Sequence, residues 1–279
     1  MSVKTTVITG ATSGIGKETA LALAKKDHAV YMLVRNTEKG EQLRKEIITE
    51  TGNKSIYVVE CNLADLQSVR KAAVDLKAKL KDINILINNA GGIFAERQLS
   101  ADGFEMTFAV NNLGHFALTL LLMPLLEKGH ARIINVASEA YRSGKPNFDD
   151  IQREQSYSAF KAYSTAKLFN IFFTRSLAEK YAVKGVTAFS LHPGLVNTGF
   201  GAALSGLGKF LMMLSRPFMI MPEQGAKTSV YLATQPGLEA KTGNYFKKCK
   251  AVSPVERAND FPGRNRLWIL SEQLTGIDA

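Results

Sequence analysis

Short apolar runs alternate with amphipathic, charge-bearing stretches from the fifth residue onward, and this alternation leaves few folds open. Residues 5–9, 29–34, 54–60, 83–88, 132–137 and 185–191 read as strands, with 243–246 a short seventh. Between them, 13–26, 38–50, 68–80, 104–126 and 157–183 carry apolar residues at helical spacing with few breakers. Repeated β-α-β units predict a parallel sheet with right-handed crossovers and helices on both faces. The expected architecture is α/β and doubly wound, with about seven strands. No composition shift, repeat or low-complexity segment marks a linker, so residues 1–279 are read as one domain.

A chain of 279 residues buries a substantial core, and 46% hydrophobic with 22% charged residues is ordinary for a soluble globular protein. The net charge is +10, but the 35 lysines and arginines are spread along the chain. The short basic runs at 77–81 and 247–250 have acidic or apolar neighbours, so no nucleic-acid partner is expected. A phosphorylated cofactor would benefit from the same field. Cys61 and Cys249 form no CxxC pair or disulfide framework and fit a reducing compartment, so the expected location is cytoplasmic. The first residues lead straight into a strand, without the pattern of a secretory signal.

Two segments interrupt the alternation. Residues 141–156 are polar, hold Gly144 and Pro146, and read as a loop. Residues 200–222 are apolar and rich in Met and Gly, but Lys209 and Arg216 break the run of roughly 20 apolar residues that a membrane span needs. No transmembrane span is expected. The segment suits a cover over a hydrophobic substrate; a peripheral membrane contact and plain core packing are the open alternatives.

Three groups of residues carry chemistry. Thr9-Gly10-Ala11-Thr12-Ser13-Gly14-Ile15-Gly16 joins the first strand to the first helix. Glycines permit a tight turn and close backbone approach to a pyrophosphate, and the helix N-terminus offers free N–H groups. After the second strand stand Arg35 and Asn36, where an acidic residue would bind the ribose hydroxyls of NAD; Arg35 suits a 2′-phosphate, so NADP(H) is favoured over NAD(H). Tyr163 and Lys167 share one helix face a turn apart, and a lysine beside a phenol is expected to lower its pKa. No His, Cys and carboxylate cluster has metal-ligand spacing.

Together the glycine turn, Asn88-Asn89-Ala90-Gly91, Tyr163 with Lys167, and Pro193-Gly194 resemble the short-chain dehydrogenase/reductase family, in its order and spacing. Val110-Asn111-Asn112-Leu113-Gly114-His115-Phe116, Pro222-Glu223-Gln224-Gly225-Ala226 and Gly243-Asn244-Tyr245-Phe246 with Leu267-Trp268 resemble its retinol dehydrogenase-like branch. The resemblance implies a Rossmann fold with Tyr163 as general acid/base and Lys167 acting on Tyr163 and the nicotinamide ribose. Ser138 would hold the carbonyl oxygen, and Asn111 a water linking Lys167 to solvent. It further implies that Gly10, Thr12, Ser13, Gly14, Ile15 and Gly16 hold the diphosphate. Asn89, Ala90 and Gly91 would wall the cofactor, and Pro193, Gly194, Val196 and Thr198 would cover the nicotinamide.

His192 and His115 are expected to be structural. Where the family carries an aspartate for adenine, this chain has Cys61-Asn62-Leu63, and the Asn62 side-chain oxygen is expected to accept that bond. The many membrane anchors of the branch have no counterpart ahead of the first strand, which points to a soluble enzyme. The expected activity is NADP(H)-dependent interconversion of a carbonyl and an alcohol on a small hydrophobic substrate, with a homo-oligomer as a plausible assembly. The alternative is a cofactor-binding regulatory protein of the same fold with little turnover.

Overall fold

A computed structural model describes residues 3–196 and 219–278. Its centre is an eight-stranded sheet: β1 (Thr5–Thr9), β2 (Ala29–Val34), β3 (Ile56–Glu60), β4 (Ile85–Asn88), β5 (Arg132–Val136), β6 (Thr187–His192), β7 (Tyr245–Lys247) and β8 (Lys250–Val252). The spatial order is β3-β2-β1-β4-β5-β6-β7-β8, parallel throughout except for the last pair. The sheet order reverses direction between β1 and β4, and a crevice at the carboxyl ends is where open α/β sheets receive ligands.

Helices α1 (Gly14–Ala24), α2 (Thr37–Thr51) and α6 (Pro222–Thr234) cover one face, closing over Ile8, Met32, Ile87 and Phe189. On the other face lie α3 (Leu66–Lys79), α4 (Met106–Lys128), α5 (Ala159–Tyr181) and α7 (Phe261–Thr275), over Val7, Leu86 and Ile133. Helix α4 is long and apolar enough to cross a membrane, but its apolar window is 83% buried in this core. Such a helix satisfies its own backbone wherever it lies, and here the sheet and α5 supply the apolar surroundings.

Three features depart from the sequence expectation. Strand β8 adds an eighth strand, antiparallel to β7 through a turn in which Lys248 and Cys249 take φ of 50° and 60°. Its three residues are all exposed, so no alternating apolar pattern announces it. Helix α4 is not α-helical throughout: residues Ala109–Leu113 form a π turn. Helix α7 buries Gly263, Arg264, Ser271 and Thr275 beside Leu267 and Trp268, a stripe too polar to show as an apolar period.

Helix α7 nonetheless anchors firmly. Asp260 caps its N-terminus by accepting the Gly263 N–H at 3.0 Å. Trp268 packs edge-on against Phe116 of α4, centroids 5.1 Å apart, and against Phe173 of α5 at 6.0 Å. Its indole N–H donates to Glu272 at 2.7 Å. Removing this ring leaves a hole between three helices, so Trp268→Ala is expected to cost about 3–5 kcal/mol. Urea denaturation followed by far-UV circular dichroism checks it.

Candidate functional site

The carboxyl end of β5, one face of α5 and the π turn of α4 bring Ser138, Tyr163, Lys167 and Asn111 together. Lys167 is 3% exposed, and its Nζ donates to the Val136 carbonyl at 3.0 Å. The same Nζ lies 5.5 Å from the centroid of the Tyr163 ring. Ser138 caps the 3-10 turn Glu139–Ser143, accepting the Ala140 N–H at 3.3 Å, and hydrogen-bonds the Tyr163 side chain.

The electrostatics correct the sequence expectation. Burial raises the Tyr163 phenol well above its ordinary value, and the Ser138 hydrogen bond only partly offsets this. Burial lowers Lys167 to about 7. Desolvation opposes the charged form of each group, and it outweighs the attraction that spacing alone suggests. At neutral pH Tyr163 therefore keeps its proton.

Asn111 combines the two readings its position allows. Its Nδ2 donates to the Thr107 carbonyl at 2.8 Å and the Gly92 carbonyl at 3.0 Å, the tasks of a structural amide. Its Oδ1 is buried with no hydrogen-bond partner among the described residues. A Cβ on Gly91 would lie 2.7 Å from that Oδ1 and 3.2 Å from Lys167 Nζ, so the glycine lets the loop after β4 approach both. An orphaned buried acceptor of this kind marks a place for water or ligand.

The glycine turn approaches the same spot from β1. Gly10 and Gly14 take φ of 66° and 52°, a left-handed backbone that side chains disfavour. A Cβ on Gly16 would fall 2.2 Å from the Gly10 oxygen and 2.5 Å from Asn89 Nδ2. Asn89 Nδ2 donates to the Thr9 and Gly10 carbonyls at 2.8 and 3.2 Å, which ties the two loops into one wall with Ala90. Ser13 precedes α1 without a side-chain cap, so Thr12, Ser13, Gly14 and Ile15 present a helix N-terminus open to an anion.

On the far side, Gly194 takes φ of 103° in the turn after β6, and Val196 bridges to Ile220. A Cβ on Gly225 of α6 would meet Val196 at 2.7 Å and Ile15 at 3.2 Å. This contact sets Pro193, Gly194 and Val196 beside the glycine turn. Thr198 and most of 200–222 lie outside the described residues.

Three residues named for the adenosine end also hold the scaffold. Asn36 caps α2, its Oδ1 accepting the Lys39 N–H at 2.9 Å, while Arg35 stands exposed beside it. Asn62 Oδ1 accepts the Ala64 N–H at 3.2 Å, so one of its two lone pairs is spent within the chain. The Leu63 side chain is buried in the core under α3, and its carbonyl abuts Gly114 of α4.

Behind the site runs a set of polar residues that sequence reasoning passed over. Asn88 Nδ2 donates to Asn135 Oδ1 at 2.8 Å, and Asn135 Nδ2 donates to Thr174 Oγ1 at 2.9 Å. Asn112 Nδ2 donates to Asn170 Oδ1 at 2.7 Å, and Asn170 Nδ2 donates to the Val136 carbonyl at 3.1 Å, the acceptor that Lys167 also uses. The signal was present: Tyr163, Lys167, Asn170 and Thr174 follow one another at helical spacing along α5.

A second clamp holds Ser138. His192, lowered to about 4 by burial and so neutral, accepts the Glu139 N–H at 3.3 Å. Glu139 accepts the Tyr245 hydroxyl at 2.8 Å and pairs with Arg142 and Lys247 at 3.0 and 3.3 Å.

Comparison with known proteins places this arrangement. Residues 4–206 match the model of the short chain dehydrogenase family. Human retinol dehydrogenase 11 is 42% identical over 275 residues, covering 98% of this chain and 86% of that protein. An uncharacterised protein of Mycobacterium Paratuberculosis superposes with a TM-score of 0.79 at 32% identity, covering 99% of this chain and 94% of that one. A structure assigned as an NAD(P) dependent gluconate 5-dehydrogenase from Beutenbergia cavernae, with NADP bound at low occupancy, gives 0.72 at 25% identity, covering 89% and 96%. Fold and comparisons together define an oxidoreductase. The chain belongs to the short-chain dehydrogenase/reductase family, with retinol dehydrogenases among its relatives.

The buried lysine has a consequence for stability. Its folded pKa of about 7 lies below the unfolded lysine value of 10.5. Below pH 7 both states hold the proton and the native state carries the full cost of burying the charge. Above pH 7 the unfolded chain binds more protons than the native one, so stability rises with pH until the ordinary lysine value is reached. Lys167→Met, which removes the titration, is therefore expected to be more stable than wild type at pH 6, with the advantage shrinking by pH 9. Cofactor-free denaturation curves of both proteins at the two pH values provide the measurement.

Proposed function

We propose that this chain is an NADP(H)-dependent oxidoreductase that reduces the carbonyl of a small hydrophobic substrate, a retinoid, a steroid or a long-chain aldehyde or ketone. The observation that carries the reading is the meeting of a proton-loaded phenol, a serine hydroxyl and a buried amine beside a glycine turn that leads into an uncapped helix. The cradle fits a dinucleotide: Gly10 and Gly14 take left-handed backbone ahead of an uncapped helix N-terminus, and the orphaned Asn111 oxygen lies beside Gly91 of the neighbouring loop.

The backbone of Gly10, Thr12, Ser13, Gly14, Ile15 and Gly16 would hold the diphosphate at the start of α1. Arg35 would meet the 2′-phosphate, and the free lone pair of Asn62 the adenine amino group. Asn89, Ala90 and Gly91 would wall the nicotinamide side, and Pro193, Gly194, Val196 and Thr198 would cover it. A bound reduced nicotinamide supplies the hydride.

The chain's own residues handle the oxygen. Ser138 and Tyr163, already hydrogen-bonded to each other, would both address the substrate carbonyl oxygen. Tyr163 then gives its proton to that oxygen as the carbon is reduced, and the raised phenol pKa keeps the donor loaded at neutral pH. Lys167, close enough to the ring to stabilise the phenolate left behind, returns a proton along the side where the Asn111 oxygen faces. A retinoid or similar substrate is supported by the retinol dehydrogenases among the relatives and by the apolar composition of 200–222.

A panel of aldehydes, ketones and alcohols assayed with NADPH and NADH tests the reading; reduction of hydrophobic carbonyls with NADPH is the expected result, and no turnover with any of them would leave the regulatory alternative. Tyr163→Phe is expected to retain cofactor binding, seen by NADPH fluorescence, and to lose about 10²–10⁴-fold in kcat. Arg35→Ala is expected to raise the KM for NADPH about ten- to hundredfold and to leave that for NADH nearly unchanged. A variant that keeps its preference for NADPH would remove Arg35 from the 2′-phosphate.

A further inference from the structure

Among the described residues, His115 is a buried titratable group to which the mechanism above gives no task. His115 of α4 is 2% exposed, and its ring spans two elements. Nδ1 lies 3.3 Å from the Asn111 carbonyl oxygen one turn back, and Nε2 lies 2.9 Å from Thr9 Oγ1 at the end of β1.

The direction of every bond follows from the donors present. A carbonyl oxygen only accepts, so Nδ1 carries the proton. In a neutral ring Nε2 is then the acceptor, and the Thr9 hydroxyl donates to it. The Ile87 carbonyl, 3.4 Å from the same hydroxyl, is the weaker competitor for that hydrogen. Thr9 Oγ1 in turn accepts the backbone N–H groups of Asn89 and Ala90, both at 3.0 Å. With its hydrogen aimed at the ring and both lone pairs taken, Thr9 is saturated.

Burial sets the charge state. It lowers the imidazole to about 3, the Asn111 bond opposing and the positive charge of Lys167 adding to the shift. The ring is therefore a fixed, neutral strut and not a proton carrier.

We propose that His115 is a positioning residue for the cofactor wall: it orients the Thr9 hydroxyl, which holds the backbone of Asn89 and Ala90, and it ties that wall to Asn111 in the π turn. The inference rests on the dinucleotide reading of the glycine turn. It adds a physical link between the two halves of the site, because the next residue, Gly91, is the one packed against Asn111 Oδ1 and Lys167 Nζ. Loss of the ring would let the loop drift from both.

Two measurements test it. In the cofactor-free, full-length chain labelled with ¹⁵N-histidine, His115 is expected to show the Nδ1–H tautomer, unchanged from about pH 5 to pH 8. An Nε2–H tautomer, or a ring that titrates in that range, overturns the proposal. His115→Phe is expected to weaken NADPH binding about tenfold by fluorescence titration, while kcat at saturating cofactor falls far less. Unchanged affinity in that variant overturns the positioning role; should it fail to fold, the wild-type tautomer still decides. A wild-type chain that binds neither NADPH nor NADH overturns the dinucleotide reading instead, and with it the wall His115 is proposed to hold, whatever the tautomer.

Discussion

The structure depends on keeping one amine dry without leaving it unsatisfied. Lys167 Nζ is buried, and a buried ammonium without partners is among the costliest groups a core can contain. The fold answers with the Val136 carbonyl at 3.0 Å and the face of the Tyr163 ring. That carbonyl is itself held by Asn170, and Asn170 by Asn112. Polar side chains thus concentrate at the carboxyl edge of the sheet while both faces stay apolar. Asn88, Asn135, Asn112 and Asn170 each donate to a neighbouring strand or helix, so this end of the molecule is cross-braced.

Much of this was legible in the sequence, for reasons that differ from element to element. The central parallel strands announced themselves because they are buried on both faces and read as apolar runs such as Ile85, Leu86 and Ile87. The glycine turn was legible because its backbone demands glycine: Gly16 sits where a Cβ would strike the Gly10 oxygen. Residues four apart on α5 declared a shared face. What stayed hidden depends on tertiary context. Strand β8 is short and exposed, so only its pairing with Tyr245–Lys247 makes it a strand. The protonation of Tyr163 follows from burial, and spacing along a helix carries no information about burial by other elements. The spacing pointed to charge attraction; desolvation won.

The turns after β2 and β3, proposed to meet the adenosine, are built differently from the Tyr163 end. Asn36 spends its side-chain oxygen on the first turn of α2, and Asn62 shares its own with Ala64. Both residues therefore shape their own turns. Arg35, exposed between strand and helix, has no such duty in shaping the turn and presents its charge outward. An exposed arginine on this turn thus stands apart from the glycine turn, whose shape is fixed by close backbone packing. A side chain at Gly16 would strike the Gly10 oxygen and the Asn89 amide, so packing holds that position to glycine.

The π turn explains how one helix serves the site and the core together. Adjacent residues on a helix point about 100° apart, so Asn111 and Asn112 face different neighbours. Asn111 looks toward the loop after β4, and His115, four residues on, continues that face to Thr9. Asn112 looks toward Asn170 of α5, and Phe116 continues that second face to Phe173 and Trp268. Two interleaved pairs at the same spacing thus divide α4 into a polar face that shapes the site and a face that packs. A π turn holds an extra residue relative to an α turn and so resets the phase of everything beyond it. Placed at Ala109–Leu113, it sets the phase of both faces at once, and Gly114 lets the helix close on the Leu63 carbonyl at the same point. Shifting the register by one residue would put Phe116 where His115 meets Thr9 and leave the buried amides unpaired. The order of side chains in this stretch is therefore constrained by packing and by the site together, and neither alone requires it.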